Sequence, residues 1–181
     1  MKPFFLFGIF LFLSCTPEVQ PKPWGYLRLE YPSSTYERLE GSAPFSFEHN
    51  SFSNVKLFHS GNSQLIYPEM KATLYLNYNE IKNNLDSLLN DAYKLPYKHI
   101  SKAEAIPEKV FINPTKRVFG TLFSVVGNAA SQYQFFLTDS SKHFLVGSVY
   151  FYARPNYDSL LPAVKYLEKD IIHLIQTLEW E

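Results

Sequence analysis

The first half of the chain alternates apolar and polar positions in short runs bounded by turn residues. Residues 24–31 (WGYLRLEY) alternate strictly and are followed by Pro32, which predicts a strand that ends there. Further strand candidates follow at 45–49 (FSFEH), 55–59 (VKLFH), 64–68 (QLIYP) and, most clearly, 70–78 (MKATLYLNY). We therefore expect the first half to consist mostly of strands.

A change of spacing after residue 78 predicts a helix. Apolar residues recur at helical intervals and form one stripe, which consists of Ile81, Leu85, Leu88, Ala92 and Leu95. Asn79 can cap the start of this helix, and Pro96 can close its end. One face of the helix is expected to be buried.

Three long apolar runs follow at 117–127, 131–139 and 143–153. Their junctions are short and rich in turn residues, which predicts antiparallel hairpins. Both faces of the runs are apolar, and an antiparallel sheet with one wet face would instead alternate apolar with polar residues. We therefore expect this sheet to be covered on both sides.

The last helix is predicted to start near Asp158 or Ser159 and to tolerate Pro162 in its first turn. Its apolar stripe consists of Leu160, Val164, Leu167, Ile171, Leu174 and Leu178. The predicted fold class is α+β, an antiparallel sheet covered by helices on both faces. The order of its elements resembles the Mog1/PsbP-like sandwich, and this likeness concerns fold alone.

The N-terminus has the pattern of an export signal. Lys2 precedes an apolar run from Phe4 to Leu13, about half the roughly 20 residues that a membrane-spanning helix needs. Ser14 and Cys15 follow, which resembles the lipobox of bacterial lipoproteins, where the cysteine thiol is acylated and becomes the first residue. The alternative is an ordinary secretory signal with an incidental cysteine, which would leave a free thiol in an oxidising compartment.

These features divide the chain into three parts: a signal peptide (1–14), a lipidated Cys15 with a proline-rich spacer (15–23), and one globular α+β domain (24–181). Pro17, Pro21 and Pro23 favour an extended spacer. Thr16 is not the aspartate that retains many lipoproteins at the inner membrane. We expect a lipid-anchored protein that faces the periplasm, with the outer membrane favoured.

Composition and motifs argue against several functions. Lysine plus arginine balance aspartate plus glutamate at 17 each, so the chain has no charge excess to attract nucleic acid. It contains no serine nucleophile elbow, phosphate-binding glycine loop or dinucleotide fingerprint, and its five histidines lie far apart. Glu30, Glu69 or Asp139 could supply acid–base carboxylates, but no pair is favoured. We predict a protein that is not an enzyme and has no metal site or cofactor.

Three polar stretches remain, at 112–117, 127–133 and 153–159. Turn and capping chemistry explains them simply, because asparagine, glycine and proline suit tight turns. The functional alternative is a rim of loops that binds a partner through five residues: Asn113, Asn128, Gln134, Arg154 and Tyr157.

The text of the chain is similar to a known family. The stretches PKPWGYLRLEYP, MKATLYLNYNEIKNNLDSLL and GNAASQYQFFLTDSSKHFLVGSVYFYARPNYDSL, together with the terminal LIQTLEWE, closely resemble the gliding-motility lipoprotein family GldD of Bacteroidetes. The resemblance implies a non-enzymatic membrane lipoprotein required for gliding and linked to type IX secretion, with other envelope proteins of that machinery as partners. Cys15 corresponds to the lipidated cysteine of the family.

Two other functions stay open. Surplus tyrosines such as Tyr133, Tyr150 and Tyr152 suggest a periplasmic module that binds peptidoglycan or another glycan, which requires exposed rings. A hydrolase with a non-standard site would require a polar pocket with convergent titratable groups.

Overall fold

The computed structural model describes residues 31–39, 43–58 and 61–181. The strand predicted at 24–31 and the signal, Cys15 and spacer lie outside this range, apart from Tyr31, which is not in a strand. Within the described residues the strands are β1 Tyr36–Arg38, β2 Phe45–Ser46, β3 Glu48–Asn50, β4 Asn54–Leu57, β5 Ser63–Tyr67, β6 Ala72–Glu80, β7 Ala103–Ala105, β8 Glu108–Asn113, β9 Val118–Ser124, β10 Val126–Gly127, β11 Tyr133–Thr138, β12 His143–Phe151 and β13 Glu179–Trp180. The helices are α1 Leu85–Tyr97 and α2 Tyr157–Thr177.

The main sheet has seven strands in the order β4-β5-β6-β12-β11-β9-β8, and all its pairs are antiparallel. The three apolar runs predicted to form hairpins become β9, β11 and β12, which are neighbours in this sheet. The α+β class with an antiparallel sheet and two helices is thus confirmed. Short two-stranded pairs (β1-β3, β10-β7 and β13-β2) accompany the sheet, so the terminal LEWE contributes a strand.

Adjacent residues of β11 belong to different hydrophobic clusters. Phe136 packs in a small cluster with Ala92 of α1. Its neighbours Phe135 and Leu137 belong to the large cluster that contains Leu167 of α2. Successive side chains of a strand point to opposite faces of the sheet. This alternation determines which face each strand residue presents.

The first helix begins later than its apolar spacing predicts. Asn79 does not cap it, because β6 continues to Glu80 and pairs there with His143 of β12. The helix begins at Leu85, and Pro96 lies inside its last turn. Ile81 precedes the helix, but it packs against the same cluster as α1. The prediction of a helix here is therefore confirmed, but its predicted start is wrong.

The second helix begins at Tyr157, one residue before the predicted start. Asn156 caps it, and its side chain accepts a hydrogen bond from the backbone N–H of Ser159. Pro162 is the sixth residue of the helix and lies in its second turn, not in the first turn as predicted. The i→i−4 bonding already begins with the N–H of Leu160, so the proline removes a bond to the carbonyl of Asp158. The apolar stripe of α2 is buried against the large cluster.

Candidate functional site

The structure places the five predicted rim residues in different settings. Asn128 and Tyr157 are brought together, because the backbone N–H of Tyr157 donates to Asn128 Oδ1 at 2.8 Å. Arg154 is exposed in the segment that leads into α2. Asn113 ends β8, and its Oδ1 accepts from the backbone N–H of Lys116 at 3.1 Å. Turn and capping roles thus account for the asparagine side chains.

Gln134 lies in β11 and not in a loop. Its side chain is 1% exposed, and its amide oxygen and nitrogen both lack a hydrogen-bond partner among the described residues. A buried polar atom without a partner costs about 1–3 kcal/mol. Buried amides are nearly always paired in folded proteins, so this one requires an explanation.

Tyrosines form an exposed group on the face of the sheet that carries α1. Tyr150 of β12 and Tyr152 just beyond it are 38% and 65% exposed, and Tyr75 of β6 is half-buried beside them. The hydroxyls of Tyr75 and Tyr152 lie 2.7 Å apart, and the ring of Tyr150 meets that of Tyr75 edge-on at 5.8 Å. Tyr133, the third tyrosine considered for glycan binding, is buried.

The hydroxyls of Tyr75 and Tyr152 form a hydrogen bond with each other. The hydrogen bond from Tyr75 lowers the pKa of Tyr152, and the same bond raises the pKa of Tyr75. A groove of about 580 Å³ runs along these rings and is also lined by Leu95 at the end of α1 and by Ser148.

Tyr75 was not singled out from the sequence. The alternation of residues in β6 could have indicated Tyr75, because Ala72, Leu74 and Leu76 belong to the large cluster on one face of the strand. Tyr75 and Asn77 fall on the other face of the same strand. A tyrosine and an asparagine on the second face of a long strand indicate a wetted surface.

A second cavity of about 250 Å³ lies beside a buried carboxylate. Tyr67 and Tyr166 line this cavity together with Phe52 and Met70. Tyr67 also faces Asp170; burial and that carboxylate both raise the pKa of its hydroxyl well above the ordinary value. Asp170 is fully occupied by donors from other elements, so it contributes a structural contact here.

Asp139 and Glu69, two of the carboxylates named for acid–base work, lie in the described part of the chain. Asp139 accepts backbone hydrogen bonds from Ser141, Lys142 and His143 in the β11–β12 turn. Burial raises the pKa of Asp139, but these hydrogen bonds outweigh it and hold the pKa well below the ordinary value. Glu69 lies at the rim of the second cavity, and Glu30 lies outside the described residues.

Within residues 31–39, 43–58 and 61–181, no three histidine, cysteine, aspartate or glutamate side chains come together as metal ligands. Neither of the helices in the same range has the length and apolar character needed to cross a bilayer.

The comparison with protein families gives one match. The family described as gliding motility lipoprotein GldD matches residues 16–180. The match includes β1 to β13 and both helices. No curated protein matches the sequence.

Proposed function

Because this chain belongs to the gliding motility lipoprotein family GldD, we propose that it is a lipid-anchored component of a gliding machinery linked to type IX protein secretion. Membership of a lipoprotein family implies anchoring to a membrane of the cell envelope. In this role the protein acts through contacts with other envelope proteins. The family match over residues 16–180 carries this proposal.

The anchor is proposed to be the acylated thiol of Cys15. The apolar run, Ser14 and Cys15 support this proposal, as does the absence of any other cysteine in the sequence. Several acyl chains at about 0.8 kcal/mol per buried CH₂ hold a protein on a bilayer far more firmly than one chain does. The domain would face the periplasm, with the outer membrane favoured because Thr16 follows the cysteine.

Replacement of the anchor residue tests this function. Cys15→Ser is expected to move the protein from the membrane pellet to the soluble fraction and to abolish spreading of colonies and export of surface adhesins. Ser14→Ala, which keeps the thiol, serves as the matched control. Firm sedimentation and normal spreading of the Cys15→Ser strain would contradict the proposal.

The partner contact is proposed for the surface around the start of α2. Arg154 is exposed there, close in sequence to Tyr157, whose backbone is bound by Asn128. Arg154→Glu is expected to reduce crosslinks to envelope proteins and spreading while the free energy of unfolding stays within about 0.5 kcal/mol. Lys169→Glu, on an exposed position of the same helix, is the control.

We also propose the two-sided sandwich similar to the Mog1/PsbP-like fold, and the three-part organisation with one globular domain at 24–181. The alternation of Phe135, Phe136 and Leu137 between two clusters supports helices on both faces of the sheet. Neither the family nor the described residues point to catalysis, and the proposed role requires none.

A second candidate function is binding of a periplasmic glycan. The exposure of Tyr150 and Tyr152 favours it, because stacking on sugars requires accessible rings. The burial of Tyr133 removes that residue from the candidate surface. Sedimentation with purified peptidoglycan tests this function in the anchored protein.

A further inference from the structure

A groove lies beside α1 on the face of the main sheet that the helix packs on. The helix covers the part of this face that contains Phe123, Phe136 and Phe144. Beside it, the register places Ser148 of β12 directly opposite Tyr75 of β6. Directly paired residues of antiparallel strands share a face. We call the surface formed by Tyr75, Asn77, Ser148, Tyr150 and Tyr152 the tyrosine face.

The side chains of the tyrosine face are uncharged, although the hydrogen bond from Tyr75, together with the charge of Lys56, lowers the pKa of Tyr152. The groove is lined by Tyr75, Asn77, Leu95, Val146, Ser148, Tyr150, Phe151 and Tyr152. A phosphate, a nucleic acid or an acidic peptide would lose hydration there without meeting an opposite charge among the lining residues, since Lys56 does not line the groove. An uncharged ligand with apolar surfaces and hydroxyl edges has no such cost.

The chemistry of the tyrosine face fits a glycan. Sugar rings present C–H groups on their flat sides and hydroxyls on their edges. Tyrosine rings offer apolar surface together with a hydrogen-bonding hydroxyl, and Asn77 and Ser148 add further polar groups. An extended peptide would instead pair with a sheet edge through its backbone, and this surface presents side chains from the interior of the sheet.

Gln134 gives an independent observation beside the tyrosine face: it does not line the groove, but its neighbour Ser148 does. It pairs directly with Ser148 in the register of β11 and β12, so it lies on the same face as Ser148. Its two amide atoms are buried and unpaired among the described residues. A leucine of similar size would avoid this cost, and polar groups that lower stability are typical of functional positions.

We propose that the tyrosine face binds an uncharged glycan chain, with the rings of Tyr150 and Tyr152 as stacking surfaces and the amide of Gln134 as an inner hydrogen-bonding group. This inference rests on the second candidate function above and assigns its site. The first function, anchorage and motility, does not depend on it.

The test measures saccharide affinity of the full-length lipoprotein in a detergent without a sugar headgroup. The probes are chitohexaose and cellohexaose, which separate an N-acetylated glycan from a plain glucan, and the readout is ligand-observed NMR titration. Tyr150→Ala and Tyr152→Ala are each expected to weaken binding about tenfold or more, as expected for loss of a stacking ring. Tyr152→Phe, which keeps the ring, is expected to retain most of the affinity.

Tyr97→Ala is the matched control. Tyr97 is an exposed tyrosine of α1, and its hydroxyl donates to Glu108 of β8, on the side of the helix away from the tyrosine face. Its replacement is expected to change the dissociation constant by less than about twofold. Gln134→Leu is expected to raise the melting temperature and to weaken saccharide binding; higher stability with unchanged binding would show that the amide has no ligand role.

The outcomes distinguish failure of the assigned site, the tyrosine face, from failure of glycan binding as a function. Saccharide binding that is equal in wild type, Tyr150→Ala and Tyr152→Ala would overturn the assigned site and leave glycan binding standing. Failure of the wild type to bind either probe would overturn both, whereas the Cys15→Ser experiment still decides the motility function. A photocrosslinking residue at position 152 that captures an envelope protein, with neither saccharide bound, would show a protein-docking surface and also overturn the inference.

Discussion

The side-chain amide of Asn50 donates a hydrogen bond of 2.9 Å to the carboxylate of Asp170, which lies 120 positions further along the chain. Ser34 and Tyr36 donate to the other carboxylate oxygen at 3.1 and 3.0 Å. Burial raises the pKa of Asp170, although these hydrogen bonds oppose the rise. The buried carboxylate therefore ties the segment at the start of β1 and the strand β3 to α2.

Removal of this carboxylate is expected to destabilise the protein. Asp170→Ala leaves the donors of Ser34, Tyr36 and Asn50 without their acceptor, so we expect a loss of about 2–4 kcal/mol in the free energy of unfolding. Urea unfolding measures the loss. Lys169→Ala, at the adjacent exposed position, should change stability by less than about 0.5 kcal/mol. Equal stability of the two variants would contradict a structural role for Asp170.

Gly147 makes room for an aromatic ring in the core. A Cβ at this position would overlap the ring of Phe135 on the neighbouring strand. We expect Gly147→Ala to cost about 1–3 kcal/mol, because overpacking displaces the ring. Phe135→Leu should recover part of this cost in the double variant, measured as a coupling of at least about 0.5 kcal/mol in a double-mutant cycle.

Gly120 provides a control for the double-mutant cycle of Gly147 and Phe135. A Cβ there would overlap the backbone carbonyl of Phe136, which a change of side chain does not move. Gly120→Ala should therefore be destabilising, and Phe135→Leu should not rescue it. Rescue of both glycine variants to the same degree would argue against the ring contact at Gly147.

The strands that local pattern predicts best are those with long apolar runs. The hairpins of β9, β11 and β12 follow from short turns between such runs. The strand β8 was not predicted, because it is an edge strand whose Val110 and Ile112 are exposed, and its end was interpreted as a turn. The predicted start of α1 was wrong because pairing with β12 extends β6 through Asn79, the predicted cap, to Glu80.

The candidate sites were harder to predict because they depend on register. Gln134 and Tyr75 lie on either side of Ser148 because β11 and β6 both pair with β12. These pairings join residues that are distant in the sequence. The contact of Asn50 with Asp170 spans 120 positions and carries no local signal. Asn128, by contrast, was singled out from a turn-rich stretch, and its hydrogen bond to the backbone N–H of Tyr157 is a local structural role, whereas partner binding by Asn128 stays a prediction. Turn residues in the sequence thus indicated where the loops lie, whereas the pairing of distant strands determined which side chains share a face of the sheet.

Asp139 makes the β11–β12 turn sensitive to acid. Hydrogen bonds to its carboxylate hold its pKa below that of an unfolded chain, so its stabilisation is present above about pH 4 and is lost as pH falls further. We expect Asp139→Asn to be about 1–2 kcal/mol less stable at pH 7 and to lose less stability than wild type between pH 5 and about pH 2. Urea unfolding at each pH measures the two slopes, with Asp158→Asn at an exposed position as control. Parallel slopes for wild type and Asp139→Asn would refute this assignment.

His143 couples the same turn to the C-terminal strand. Its ring stacks on Trp180 at 5.2 Å with an interplanar angle of 9°, and its Nδ1 lies 2.9 Å from the hydroxyl of Tyr78. Burial lowers the pKa of His143, with help from Lys142, and outweighs the opposing charges of Asp139 and Glu80. The ring is therefore neutral in the native protein at pH 7.

Tryptophan fluorescence is expected to report this protonation. In a Trp24→Phe background, where Trp180 is the remaining tryptophan, emission should be constant from pH 8 to about pH 6.5 and should be quenched below that as the stacked imidazole gains a proton. The unfolded chain takes up this proton first, so acidification through the same range also lowers the free energy of unfolding. His143→Asn should remove the transition, whereas His173→Asn should keep it, because His173 contacts Glu48 and Tyr36 instead. A midpoint above pH 6.5, or a transition that survives in His143→Asn, would show that the stacked ring is not the group that titrates.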